Sequence, residues 1–108
     1  MQQGNLSEGT INMITHIVFF KLGEPSPDKI AETRNMLLSM SGRIPGIRHF
    51  EVGVDVVRSE RSYDLALVTR FDSLADLKAY QDHPLHAGEV VPHVKSVCSS
   101  IIAVDYES

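Results

Sequence analysis

Apolar positions recur along this chain first at nearly every residue, then at helical spacing, then at every second residue twice over. A second helical spacing and a last alternation follow. The first apolar stretch, Ile14 to Leu22, is rich in β-branched and aromatic residues and predicts a strand. One of its faces carries Ile14, His16, Val18, Phe20 and Leu22, the other Thr15, Ile17, Phe19 and Lys21. Both faces are largely apolar, so both are expected to be covered. Gly23-Glu24-Pro25 breaks the strand, and Ser26-Pro27-Asp28 combines an N-cap, a first-turn proline and a first-turn acid. The helix is predicted to run to about Met40, with Ile30, Thr33, Leu37 and Ser41 on one face and Leu38 and Met40 widening it. Gly42 is a natural stop, and Ile44-Pro45-Gly46 signals a turn.

From Ile47 to Val57, Phe50, Val52, Val54 and Val56 alternate with His49, Glu51, Gly53 and Asp55. This predicts a second strand, with the polar run Arg58-Ser59-Glu60-Arg61 as the hairpin connection to a third at Tyr63 to Phe71. Ser73, with Asp76 three positions on, caps a helix from Leu74 to about Asp82. Pro84 interrupts it, because the ring fixes φ and removes a donor. A further helical stretch is expected from His86 to about Val97, with Pro92 as an irregularity. The last strand, Ser100 to Tyr106, places Ile102, Val104 and Tyr106 on one face and Ile101, Ala103 and Asp105 on the other.

Strand, helix, strand, strand, helix, strand is the α+β, ferredoxin-like βαββαβ pattern. Its four-stranded antiparallel sheet takes the order 4-1-3-2, and right-handed crossovers put both helices on one face. The opposite face is then an apolar surface larger than monomers usually tolerate. A second copy of the sheet is the simplest cover, so the chain is expected to form a homodimer through its sheet faces, a dimeric α/β barrel.

The 108 residues hold one domain, and 43% hydrophobic with 22% charged residues is ordinary globular usage. Residues 1–12 are polar and aperiodic and are expected to be a flexible extension to a domain over residues 13–108. No apolar run is long enough for a membrane span, and the N-terminus does not read as a signal peptide. A net charge of −4 with no basic cluster argues against nucleic-acid binding. The single cysteine, Cys98, excludes an intramolecular disulfide; it is expected to be a buried small hydrophobe in a reducing, cytoplasmic setting.

Five segments carry a family resemblance. They are His16-Ile17-Val18-Phe19-Phe20-Lys21-Leu22; Ile44-Pro45-Gly46-Ile47 with Phe50-Glu51-Val52-Gly53; Ser62-Tyr63-Asp64-Leu65-Ala66-Leu67 leading to Phe71; Leu77 through Tyr80 and His83-Pro84-Leu85-His86; and Asp105-Tyr106. In this order and spacing the chain resembles the stress-responsive dimeric α/β-barrel domain family over about residues 13–107. The resemblance implies a ferredoxin-like fold and a homodimer formed through the sheets. The family includes stress-induced proteins without assigned chemistry and a plant polyketide cyclase that closes a linear tetraketide by aldol chemistry. On that likeness His86 looks like the cyclase's general base, Tyr80 like its partner tyrosine, His16 like the first-strand pocket histidine and Asp105 like the last-strand acid. The cyclase's first-helix tyrosine is replaced here by Leu37 or Leu38, which removes a polar group from the pocket.

A cofactor-free cyclase, lyase or isomerase must remove a proton beside a carbonyl and stabilise the enolate oxygen. A histidine suits the first task at neutral pH and a tyrosine hydroxyl the second. His86 is the candidate base, Tyr80 its positioner or the oxyanion donor, and His16 an orienting group. Asp105 falls beside His16 if the strand registers agree. The expected pocket lies between helices and sheet, walled by Val18, Phe20, Leu37 and Phe71, and suits a small apolar or aromatic ligand.

Each residue also has a structural reading. His16 can be a satisfied core histidine, His83 a cap, His86 an exposed first-turn residue, Tyr80 plain core and Asp105 a strand-end acid. On these readings the protein is a non-enzymatic stress-related or assembly protein. His83, His86 and His93 have helical spacing, but Pro84 and Pro92 interrupt it and no cysteine or acid cluster completes a metal set. No nucleotide, flavin or haem motif is present, so neither cofactor nor metal is expected.

Overall fold

Nine residues of alternating burial, Ile14–Leu22, form the first strand (β1) of the computed structural model, which describes residues 12–108. The expected flexible extension over residues 1–12 lies, Asn12 apart, outside the described residues. Helix α1, Pro27–Leu38, begins where the sequence places it: the Ser26 hydroxyl accepts the Lys29 amide at 3.2 Å, with Pro27 in the first turn. It ends two residues before the expected Met40, because Ser39 closes it and a run of turns follows to Gly46. Gly42 and Gly46 have φ of 74° and 91° in those turns, a region that L side chains rarely adopt. Thr33 and Leu37 face the core as predicted, while Ser41 is exposed and Met40 is fully buried in its place.

Strand β2 spans His49–Val54 and β3 Leu65–Phe71, both shorter than the alternation predicts. The connection between them is a long polar clasp rather than a tight hairpin. Asp55 leaves the ladder to accept the Arg58 amide at 2.7 Å, and Arg58, at φ 59°, turns back to Asp64 at 2.7 Å. Asp64 is buried and also accepts the Leu22 amide at 2.7 Å, so one carboxylate ties the clasp to the end of β1. Val56 and Val57, expected to continue the strand, stand exposed in the clasp.

Helix α2, Leu74–Asp82, is capped by the Ser73 hydroxyl accepting the Asp76 amide at 3.1 Å. The second helical stretch is two pieces. A π-helical turn at His86–Val90 precedes helix α3, Val91–Val97, and Pro92 sits in the first turn of α3, where its missing donor is harmless. Strand β4 runs Cys98–Glu107, longer than predicted. Cys98 is half-buried rather than fully buried, and burial pushes its thiol pKa up, with Asp64 adding to the effect.

The sheet order is β2-β3-β1-β4, all antiparallel, which is the predicted 4-1-3-2. The fold is therefore α+β and ferredoxin-like. One sheet face packs on the helices, burying Val18, Phe20, Leu22, Leu65, Leu67 and Phe71 against Leu37, Met40, Leu77, Tyr80 and Val94. On the other face Ile17, Phe19 and Val68 are half-buried, and Ile102, Val104 and Tyr106 are 49%, 55% and 46% exposed. Among the described residues no helix is long and apolar enough to cross a membrane.

Candidate functional site

Two polar side chains gather around His16 on the helix-facing side of the sheet. His16 lies on β1, flanked by Thr69 of β3 and Asp105 of β4 in register, so all three side chains share the helix-facing side. The His16 Nδ1–H donates to the Asp105 carboxylate. His16 is 6% exposed, while the Asp105 side chain is 44% exposed. Asp105 thus holds the ring from outside, fixing its orientation and leaving Nε2 as the free nitrogen.

Tyr80 comes from the buried stripe of α2, three residues after Leu77. Its ring sits between two imidazoles, 6.2 Å from His16 in an edge-on arrangement and 4.5 Å from His86, and is backed by Phe71 at 5.3 Å. The Tyr80 hydroxyl is buried with no hydrogen-bond partner among the described residues. Burial raises its pKa well above the ordinary 10.0, so it stays a neutral phenol and a donor.

His86 opens the π-helical turn. Its Nδ1–H donates to the Gln81 carbonyl oxygen at 3.0 Å. A carbonyl can only accept, so in the neutral ring the proton resides on Nδ1 and Nε2 carries the lone pair. Burial lowers its pKa below 6.5; the Gln81 bond acts in the opposite sense, and His16 and His83 add to the lowering. His86 is therefore unprotonated at neutral pH. His83 has a different job: its Nδ1 accepts the Leu85 amide at 3.1 Å across Pro84, which turns the chain from α2 towards His86.

His16, Tyr80 and His86 line a single cavity of about 230 Å³ between sheet and helices. Val18, Phe20 and Leu37 form its walls, as expected. Phe71 does not line it: the ring is fully buried behind Tyr80, which takes the position nearer the space. Asp105 does not line it either and reaches it only through His16. Further walls not foreseen are Met40, Leu67, Val90, Val91, Val94, Ile101 and Ala103, with Gln81 and Lys95 as additional polar residues. Ile101 and Ala103 share the Asp105 face of β4, so the alternation already pointed to them. The contribution of residues 90–95 was hidden by the π-helical turn, which shifts the helical phase by one residue.

The volume exceeds the ~150 Å³ apolar cavity that takes up benzene and falls below the usual ~300 Å³ floor for drug-sized ligands. It suits one ring with a short substituent. Among the described residues no group of three or more His, Cys, Asp or Glu side chains is placed to hold a metal ion.

A ferredoxin-like sheet with one bare apolar face and a cavity under its helices defines the α/β-barrel class of small proteins. Residues 14–108 match the Stress responsive A/B Barrel Domain, and the chain belongs to that family. A dimeric ferredoxin-like protein of unknown function from Bacteroides fragilis is 31% identical, with TM-score 0.75, over 89% of this chain and 96% of its own. A dimeric ferredoxin-like protein of unknown function from Thermobifida fusca is 26% identical, with TM-score 0.77, over 88% of this chain and 90% of its own. The hydroxynitrile lyase of Passiflora edulis shares the fold at 19% identity and TM-score 0.76, over 89% of this chain and 93% of its own. None of the curated proteins matches the chain.

Proposed function

We propose that this protein is a homodimeric, cytoplasmic, cofactor-independent catalyst of proton transfer on a small, largely apolar carbonyl compound, with His86 as general base. One observation carries the reading: an imidazole whose Nδ1–H is held by a carbonyl oxygen, and a phenol whose buried hydroxyl has no partner among the described residues, line one largely apolar cavity. In the first step Nε2 of His86 takes a proton from the carbon beside the carbonyl. The C–H electron pair moves into the enolate, and His86 becomes an imidazolium. Tyr80 donates its hydroxyl hydrogen bond to the developing oxyanion, and His16, held by Asp105, orients the substrate.

The imidazolium then returns its proton. Returned to a different carbon it completes an isomerisation; passed to the alkoxide formed when the enolate attacks a second carbonyl, it completes a cyclisation. Run on a hydroxyl instead of a carbon acid, the same base takes the O–H proton, the oxygen pair forms the C=O bond as the adjacent C–C bond breaks, and the carbon that leaves with that bond's electrons takes the proton back from the imidazolium, the lyase direction. The hydroxynitrile lyase on this fold makes that direction a reasonable member of the set. The open cavity favours catalysis over a purely structural assembly role, for which a filled interior is the simpler arrangement.

The test is deuterium incorporation beside the carbonyl of phenylacetone in D₂O, followed by NMR. The native protein should accelerate exchange, and His86→Ala should lower the rate by about 10²–10⁴ while keeping the fold. Equal rates in the two proteins would overturn the assignment of the base.

A further inference from the structure

The cavity's polar groups are not all at the catalytic end. Lys95 also lines it, one turn beyond Val91 and next to Val94, so the cavity-facing stripe of α3 ends in a lysine. Lys95 is exposed, as is Gln81, whose carbonyl holds the His86 ring. Among the described residues neither Asp nor Glu lines the cavity. Arg48, Arg58 and Lys78 pair with Asp72, Asp64 and Asp82; Lys95, like several other basic residues, has no ion-pair partner among the described residues, and it is the one of them that lines the cavity. In a chain with 14 acidic against 10 basic residues, an unpaired cation beside an apolar cavity is a place where an anion gains attraction without displacing a protein carboxylate.

We propose that the cavity takes small carboxylates, their apolar body against Val18, Leu37 and Val94 and their carboxylate on Lys95. This rests on the reading of the cavity as a ligand site and adds the substrate class to it. The lysine stem covers apolar surface while its head meets the anion. The opposite end of the same ligand then reaches Tyr80 and His86, so Lys95 sets which end of the molecule enters first. Lys95 also sits in the last turn of α3, where a cation favours the helix terminus. That role acts on stability and does not distinguish between ligands.

The test uses phenylacetate and phenylacetamide, which match in shape and differ in charge, with affinities measured by calorimetry and thermal stability measured alongside. The native protein should bind phenylacetate about tenfold tighter than the amide, the scale of a charge-assisted hydrogen bond. Lys95→Met should abolish that preference and leave amide affinity unchanged, and Lys95→Arg should keep most of it. Equal affinities in the native protein, no binding of either compound, or a preference that survives Lys95→Met would each overturn the proposal. His86→Ala separates the two readings, since it should keep the preference for phenylacetate. Preference without any deuterium exchange would leave the anchor standing and remove the catalytic reading; exchange without preference would remove the anchor alone.

Discussion

Tyr80 is the residue at which stability and function should part. A buried hydroxyl without a partner costs the fold its desolvation, about 1–3 kcal/mol. Tyr80→Phe keeps the ring between His16, His86 and Phe71 and removes that cost. It should therefore raise stability by about 1 kcal/mol in urea denaturation, while lowering deuterium exchange by about 10²-fold through loss of the oxyanion donor. A variant that loses both stability and activity would make Tyr80 plain packing. Asp64 should behave in the opposite way. It accepts the Leu22 amide and the Arg58 guanidinium while nearly buried, so Asp64→Ala strands one backbone donor and takes from the half-exposed Arg58 one of its two carboxylates, Asp55 remaining. A loss of about 1–3 kcal/mol is expected, with ligand binding retained in the folded fraction because Asp64 does not line the cavity.

At the scale of elements, strands and helix starts were legible because their signals are local. Ser26 and Ser73 announce their helices through short-range hydrogen bonds, and the alternation in residues 65–71 shows directly as alternating burial. The register that seats Asp105 beside His16 was readable only as a condition, since pairing joins residues 89 positions apart. The ends of β2 were misjudged because alternation continues through Val56 while the backbone is claimed by the Asp55–Arg58–Asp64 clasp. The π-helical turn was illegible, because its extra residue looks like ordinary helical sequence with a misplaced proline. It also presents a test: Gly88, inside that turn, has open space where a Cβ would stand and no positive φ. Gly88→Ala should stabilise by about 0.5–1 kcal/mol and leave exchange activity unchanged. Loss of activity with an unchanged fold would show that the turn must flex during turnover.

For the whole molecule, the bare sheet face is where the proposed dimer would form. Ile17, Phe19, Val68, Ile102 and Val104 form an apolar surface that the single chain leaves uncovered. Its solved relatives from Bacteroides fragilis and Thermobifida fusca are dimeric, and a second sheet packed on this face would account for its composition. Val104→Glu places a charge on that surface, on the edge strand β4, and should convert the protein to monomer in sedimentation experiments. A dimer that survives Val104→Glu places the interface elsewhere.

The pH dependence of the exchange rate tests the base assignment most directly. His86 is held below pKa 6.5 by burial and Tyr80 well above 10.0, so the base form is populated at neutral pH and the donor stays protonated. The rate should fall as pH drops, with a midpoint below 6.5, and should hold level from neutral pH to about pH 10, where the phenol still keeps its proton. The acid limb should be absent from the residual rate of His86→Ala. A midpoint at or above 6.5, or the same limb in His86→Ala, would contradict the assignment of His86 as the base.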